Sequence, residues 1–172
     1  MMNTAAMTPI DWAKRPFEKY ADFSGRAPRA EFWWFVLAVV VAAIVATIIE
    51  SIVGLGPVLL VYGPLTLLLL AGTFVPMLAA QVRRLHDTNK SGLWLLAFYI
   101  PYGVMLATLP AVDPNTGAPA SLNSAAITGI LGLVVMVIGI VLLVFYVLPS
   151  KPGDNRYGPN PYGEGASPAA TA

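Results

Sequence analysis

The chain has 172 residues, of which 57% are hydrophobic and 11% charged, less than half the charge of an average soluble domain. With a mean hydropathy of +0.71 it falls in the integral membrane class, not among disordered, fibrous or disulfide-rich chains. A net charge of +1, no cysteine and one histidine, His86, exclude disulfides, thiolate catalysis, iron–sulfur clusters and any multi-histidine metal site within one chain. No cofactor and no nucleic-acid partner are expected.

In chain order, residues 1–31 form a polar and aromatic amino-terminal segment. Between Ile10 and Phe23 it mixes Trp12, Phe17, Tyr20 and Phe23 with Lys14, Arg15, Lys19 and several acids, a composition suited to an amphipathic segment at the headgroup level. Pro16 argues against one unbroken helix there. No cleavable signal peptide is expected, because this stretch lacks an apolar run before a small-residue cleavage site.

A bilayer core of about 30 Å needs roughly 20 apolar residues in a helix. Four stretches within 32–148 meet that demand, at about 32–52, 55–82, 93–110 and 125–148, and all four are expected as helices because open strands leave unpaired backbone groups in lipid. The fold class is therefore an all-α membrane protein, a bundle of four transmembrane helices. Pro76 and Pro101 each remove one backbone hydrogen bond and should kink spans two and three. Ala38, Ala42 and Ala46 in span one, and Gly129, Gly132 and Gly139 in span four, offer faces for close helix packing. The last segment, 149–172, is rich in proline and glycine and is expected to be disordered beyond about residue 164.

All ten lysines and arginines precede span one, lie between spans two and three, or follow span four. The two other loops carry none, so the positive-inside rule places both termini and the central loop in the cytoplasm. Seven of the nine acids accompany the bases. Apart from Glu50, at the outer end of span one, the spans hold no ionisable acid, lysine, arginine or histidine, which disfavours a proton relay or ion-coupled transport.

Three stretches gather on the cytoplasmic side: Phe23 to Trp34, Arg83 to Trp94, and Pro149 to Pro161. The candidate rim residues are Arg26, Arg29, Glu31, Arg83, Arg84, His86, Asp87 and Lys90. The cations suit anionic headgroups, and a discrete anion pocket would use Arg26 or Arg84 bidentately. The interspersed Glu31 and Asp87 point further, to an ion-paired network fixing the ends of spans one, two and three. His86 and Asp87 are adjacent, about 100° apart on a helix, which is poor geometry for a general-base pair, and neither a catalytic set nor a metal site is expected. Tyr157 and its neighbours either fold back on the central loop, with the ring stacked on an arginine, or form a flexible tail.

The pattern Gly25-Arg26-x-x-Arg29-x-Glu31-Phe32-Trp33, the run Arg83-Arg84-Leu85-His86-Asp87 followed by Ser91-Gly92-x-Trp94, and the closing Tyr157-Gly158-Pro159-x-Pro161 resemble the domain of unknown function 805 family of small bacterial inner-membrane proteins. The resemblance runs from about Tyr20 to Pro161. Its one departure is Asn89-Lys90, where a glycine-arginine-like pair is expected. What it implies is a bacterial inner-membrane location, with no biochemical role attached. Two functions are consistent with these residues: a non-enzymatic interaction protein whose basic, aromatic rim contacts anionic lipid or a partner, or a small transporter or channel subunit acting as a homo-oligomer.

Overall fold

The computed structural model describes residues 7–56, 62–109 and 121–162. It contains five helices among them: α1 (Pro9–Glu18), α2 (Arg29–Val53), α3 (Pro64–Asp87), α4 (Trp94–Ala107) and α5 (Leu122–Val147). By length and apolarity α2, α3 and α5 are each able to cross a membrane. At 14 residues, α4 rises only about 21 Å, so the third expected span is the weakest as a helix. The expected disorder beyond residue 164, and the part of span two at 57–61, lie outside the described residues.

The chain divides into two units. In one, α1, α2, α3 and the segment after Leu148 pack together, and in the other α4 packs on α5. Within the second unit Gly132 and Gly139 of α5 face α4, while a Cβ on Gly129 would have no neighbour within 4 Å among the described residues. A Cβ on Gly139 would stand 3.4 Å from Phe98, and one on Gly132 3.8 Å from the sulfur of Met105. These small residues are used for packing inside the hairpin.

In the first unit, α1 is a single helix in spite of Pro16. Thr8 and Asp11 close a capping box at its start, and the Thr8 hydroxyl and N–H hold the Asp11 carboxyl below its usual range. Pro16 costs the Trp12 carbonyl its intrahelical donor, yet the helix runs on past it and the Lys19 N–H bonds Arg15 O at 3.0 Å. Its ring is fully buried, and Trp12 is buried one turn back on the same face. Phe17 meets Phe35 of α2 edge to face, centroids 5.3 Å apart. Phe32, Phe35, Ala79, Ala80 and Leu85 complete an apolar core at this end.

α3 starts later and ends later than the apolar run suggests. Gly63 and Pro64 set its start, proline being preorganised for a first helical position. At its other end nothing in Arg83–Asp87 breaks a helix, so the backbone continues past the last apolar residue. It stops where Asn89 takes φ 61°, a left-handed conformation open chiefly to glycine and asparagine.

Pro76 deprives the Gly72 carbonyl of its intrahelical donor. The Tyr20 hydroxyl, from the loop after α1, donates to that oxygen at 2.9 Å. An unsatisfied carbonyl facing lipid is costly, so Tyr20→Phe is expected to destabilise the protein by about 1–2 kcal/mol. Thermal unfolding in detergent checks it, with Pro76→Ala in the same chain restoring the internal donor and most of the loss.

Candidate functional site

The ends of α1, α2 and α3 and the segment 149–162 converge on two buried carboxylates. Glu31, in the first turn of α2, is fully buried. Arg83 Nη2 meets its Oε1 at 3.0 Å and Arg15 Nε its Oε2 at 3.1 Å. Arg83 Nη1 also donates to the Asp22 carbonyl and, at 3.3 Å, to that of Lys19. One carboxylate thus ties α1, α2 and α3 together.

Asp87, the last residue of α3, is the second centre and is equally buried. Arg26 Nε donates to its Oδ1 at 3.0 Å, while Arg84 Nη1 and the Ser150 hydroxyl both donate to Oδ2. Consecutive residues on a helix point about 100° apart, so Arg83 and Arg84 serve different acids. The remaining donors of Arg26 are spent on backbone: Nη1 on Gly153 O at 2.7 Å and Nη2 on Lys151 O at 2.6 Å. The segment after α5 is therefore wrapped around this one guanidinium.

Four guanidinium groups face two carboxylates here. Carbonyl oxygens of Lys19, Asp22, Lys151 and Gly153 accept the surplus donors, which is how excess buried positive charge is tolerated without further acids. Ala27 N–H bonds Arg83 O at 3.0 Å and Lys151 N–H bonds Asp87 O at 3.2 Å, closing the frame with main chain. Beside it, the Ser24 hydroxyl and N–H bond Asp22 Oδ1 and hold its carboxyl below the usual range. That turn is complete at neutral pH and loosens as the pH falls through the carboxylate range.

His86 and Asp87 take separate partners. The His86 Nδ1–H donates to Gly25 O at 3.2 Å, a carbonyl being able only to accept. Its ring lies flat on Tyr157, centroids 3.7 Å apart and planes 4° from parallel, and Asn155 Nδ2 donates to the His86 carbonyl at 2.9 Å. Tyr157 is also covered by the Arg156 guanidinium, 4.7 Å from its centroid. The carboxy-terminal segment is thus folded back on the central loop, and the arginine on Tyr157 is its own neighbour.

Of the eight candidate rim residues, six meet here: Arg26, Glu31, Arg83, Arg84, His86 and Asp87. Arg29 and Lys90 stand half-buried at the edge, Arg29 near enough to act electrostatically on Arg84. The expectation that Arg26, Arg83 and Arg84 meet lipid headgroups directly is corrected: all three are buried because the two acids and four carbonyls draw them inward. Arg15, Ser150 and Asn155 also belong to the cluster. Arg15 stands out in the sequence only as a basic residue of an amphipathic segment, and Ser150 carries no signal there.

A third buried acid lies at the far end of α2. Glu50 Oε1 accepts the Thr66 N–H at 2.9 Å and Oε2 the Thr66 hydroxyl at 2.8 Å, so a carboxylate of α2 caps the start of α3.

A family model described as a protein of unknown function, DUF805, matches residues 20–159. Inner membrane protein YhaI of Escherichia coli K12 is 33% identical over 153 residues, covering 88% of this chain and 96% of that protein. Inner membrane protein YhaH of the same strain is 28% identical over 159 residues, 88% of this chain and 97% of its own length. No solved structure matches. The match spans the Arg26, Glu31, Arg83 to Asp87 and Tyr157 positions from which the cluster is built, together with the apolar helices: the chain belongs to the DUF805 family of unknown function and is a protein of the inner membrane.

Proposed function

We propose that the protein is a non-enzymatic interaction protein of the inner membrane, whose charged end lies in the cytoplasm and contacts anionic lipid headgroups. One observation carries the reading: all ten lysines and arginines belong to α1, the start of α2, the end of α3 and the segments beside them. With Arg26, Arg83 and Arg84 committed to internal partners, a rigid platform remains. Lys14, Lys151 and Arg156 are exposed, as are Tyr20, Phe23, Trp33 and Trp34. Lysine and arginine near an anionic surface contribute about 1 kcal/mol each, and exposed aromatic rings suit the headgroup layer.

In this reading the chain crosses four times, with both termini inside. Support for the fourth crossing comes from Lys151 bonding Asp87: the chain leaves the cluster at Lys90 and returns to it after α5, which requires an even number of crossings between. Leu93–Leu109, 17 residues, is at the short end of what spans a bilayer. The interaction reading is favoured over an oligomeric transporter because two of the three α5 glycines, Gly132 and Gly139, are taken up by α4 in their own hairpin.

The test is native mass spectrometry of protein released from mild detergent, comparing wild type with the triple variant Lys14→Gln, Lys151→Gln, Arg156→Gln. Wild type is expected to retain phosphatidylglycerol over phosphatidylcholine, and the variant to lose that preference by tenfold or more, three cations at about 1 kcal/mol each, while melting as wild type does. Unchanged retention overturns the reading.

A further inference from the structure

Glu50 differs from the two acids of the charged cluster in the kind of partner it has. Arginines stand on Glu31 and Asp87, whereas the donors that meet Glu50 among the described residues are all neutral: the N–H and hydroxyl of Thr66 and the backbone amides of Gly63 and Leu65. The nearest cations along the two helices are far off. Arg29 stands about 32 Å of helical rise from Glu50 along α2, and Arg83 about 26 Å from Thr66 along α3. The side chain is nevertheless only 3% exposed. A buried carboxylate held by dipoles alone lacks the opposite charge that buried ions normally have.

This carboxylate borders a cavity of about 340 Å³ where α2 ends and α3 begins. Thr47 and Ser51 of α2 contribute hydroxyls to its lining, and Leu55 contributes an alkyl side chain. Gly63 forms part of the wall, and the Glu50 carboxyl lies so close over its Cα that a Cβ there would stand 2.5 Å from the carboxyl carbon. The end of α2 adds a negative pole. Gly54 turns left-handed, φ 75°, and both its N–H and that of Leu55 bond Glu50 O, so the carbonyls after Glu50 finish the helix without an intrahelical donor. Cations are favoured at such an end, yet α2 has no basic residue in its last turn. The positive pole of α3 offers no balance, because Glu50 already occupies it.

We propose that this cavity binds a primary ammonium group, carried by a free amine or by an aminophospholipid headgroup. An ammonium supplies the missing charge and three donors, for Glu50, for the Ser51 hydroxyl and for the carbonyl end of α2. The Thr47 hydroxyl, whose proton goes to Ala43 O at 2.9 Å, keeps lone pairs for the same ligand, and Leu55 packs on its alkyl stem. Divalent metal ions fit less well: calcium takes roughly 6–8 oxygen ligands and magnesium a near-ideal octahedron, while Glu50 is the one carboxylate in the lining and already spends lone pairs on Thr66. The volume also suits an organic ligand, for which roughly 300–1,000 Å³ is usual. This site lies at the end of α2 opposite the lipid-contact platform and does not depend on it.

The experiment follows melting of the full chain in dodecyl maltoside at neutral pH, with ethanolamine, tetramethylammonium, sodium or magnesium chloride added at matched ionic strength. A ligand of the folded state raises the midpoint with its concentration, which yields an apparent Kd. Ethanolamine is expected to raise it, and tetramethylammonium, which has the charge but no N–H donor, to leave it unchanged. Glu50→Gln should weaken the apparent affinity about tenfold or more, since it removes a charged hydrogen-bond partner. Ser51→Ala, at an exposed helical position, should melt as wild type does without amine and bind ethanolamine about fivefold more weakly, equivalent to about 1 kcal/mol for one hydrogen bond.

The two sources are separated by replacing the free amine with phosphatidylethanolamine or phosphatidylcholine in the micelle. A shift with ethanolamine assigns a free amine, and a shift with phosphatidylethanolamine alone assigns a headgroup; either upholds the site. A shift with tetramethylammonium, sodium or magnesium equal to that with ethanolamine overturns it, as does the absence of any shift with both ethanolamine and phosphatidylethanolamine. Unchanged affinity in Ser51→Ala and Glu50→Gln together also overturns it. Should Glu50→Gln fail to fold for want of its cap on α3, Ser51→Ala and Thr47→Val, both at exposed positions, carry the test, and unchanged affinity in those two is then the overturning result. Phosphatidylglycerol retention at the charged end is a separate measurement, so failure here leaves the lipid-contact reading standing.

Discussion

Asp87→Ala is expected to lower stability by about 3–5 kcal/mol, the range for removing one partner of a buried ion pair. The change would leave Arg26 and Arg84 buried without their shared acid and take the acceptor from the Ser150 hydroxyl. It would also free the segment after α5, because Arg26 holds Lys151 O and Gly153 O only while Asp87 fixes its own orientation. Two measurements check this together: the unfolding midpoint in detergent, and limited proteolysis, which should cut near Asp154 in the variant before it cuts wild type. Ser150→Ala removes one hydrogen bond and should cost only about 1 kcal/mol. Should Asp87→Ala melt with wild type, the carboxylate would not be what assembles this end of the protein.

The second large effect is expected at the opposite end. A Cβ on Gly63 would lie 2.5 Å from the Glu50 carboxyl carbon and 2.6 and 2.7 Å from its oxygens, so Gly63→Ala must drive Glu50 off the start of α3. The Thr66 N–H and hydroxyl then lose their acceptor in a buried place, at about 1–3 kcal/mol for each group left unsatisfied. Glu50→Ala should cost a similar amount by removing the cap itself. In the Glu50→Ala background, Gly63→Ala should cost almost nothing further, since the clash and the lost cap are one event. Additive effects of the two changes in an unfolding titration would refute this coupling.

How far these sites can be read from the sequence depends on what each residue's role depends on. Hydropathy alone shows where the apolar helices lie, since a run of some 20 uncharged residues has no other stable form in lipid. It places their ends less well. The start of α3 at Pro64 and its end at Asp87 are decided by Gly63, Pro64 and Asn89 and by the charged residues in between, which change hydropathy without changing helical backbone. Pro16 misleads for another reason: a proline costs a helix one hydrogen bond to the turn before it, and here the buried Pro16 ring and Trp12 keep that turn packed and helical.

Charge placement predicts a cluster and its membership in large part, because Glu31 and Asp87 beside so many bases have no topological purpose. What it does not convey is burial. A positive-inside arginine and a buried, doubly paired arginine read alike in one dimension, so the expectation of lipid contact by Arg83 and Arg84 gives way once both are seen to be enclosed. Arg15 on Glu31 and Ser150 on Asp87 join residues far apart in the chain, and no local spacing records such pairs.

The amino-acid sequence by itself determines that this is a membrane protein, which stretches form its apolar helices and at which end its positive charge collects, because each of these follows from composition over a single turn or span. Only the tertiary structure decides which arginine serves which acid, that Tyr20 supplies the donor Pro76 removes from Gly72, and that Glu50 caps a helix other than its own. Those are pairings across elements, and a buried polar group accepts whichever partner the packed helices bring within about 3 Å.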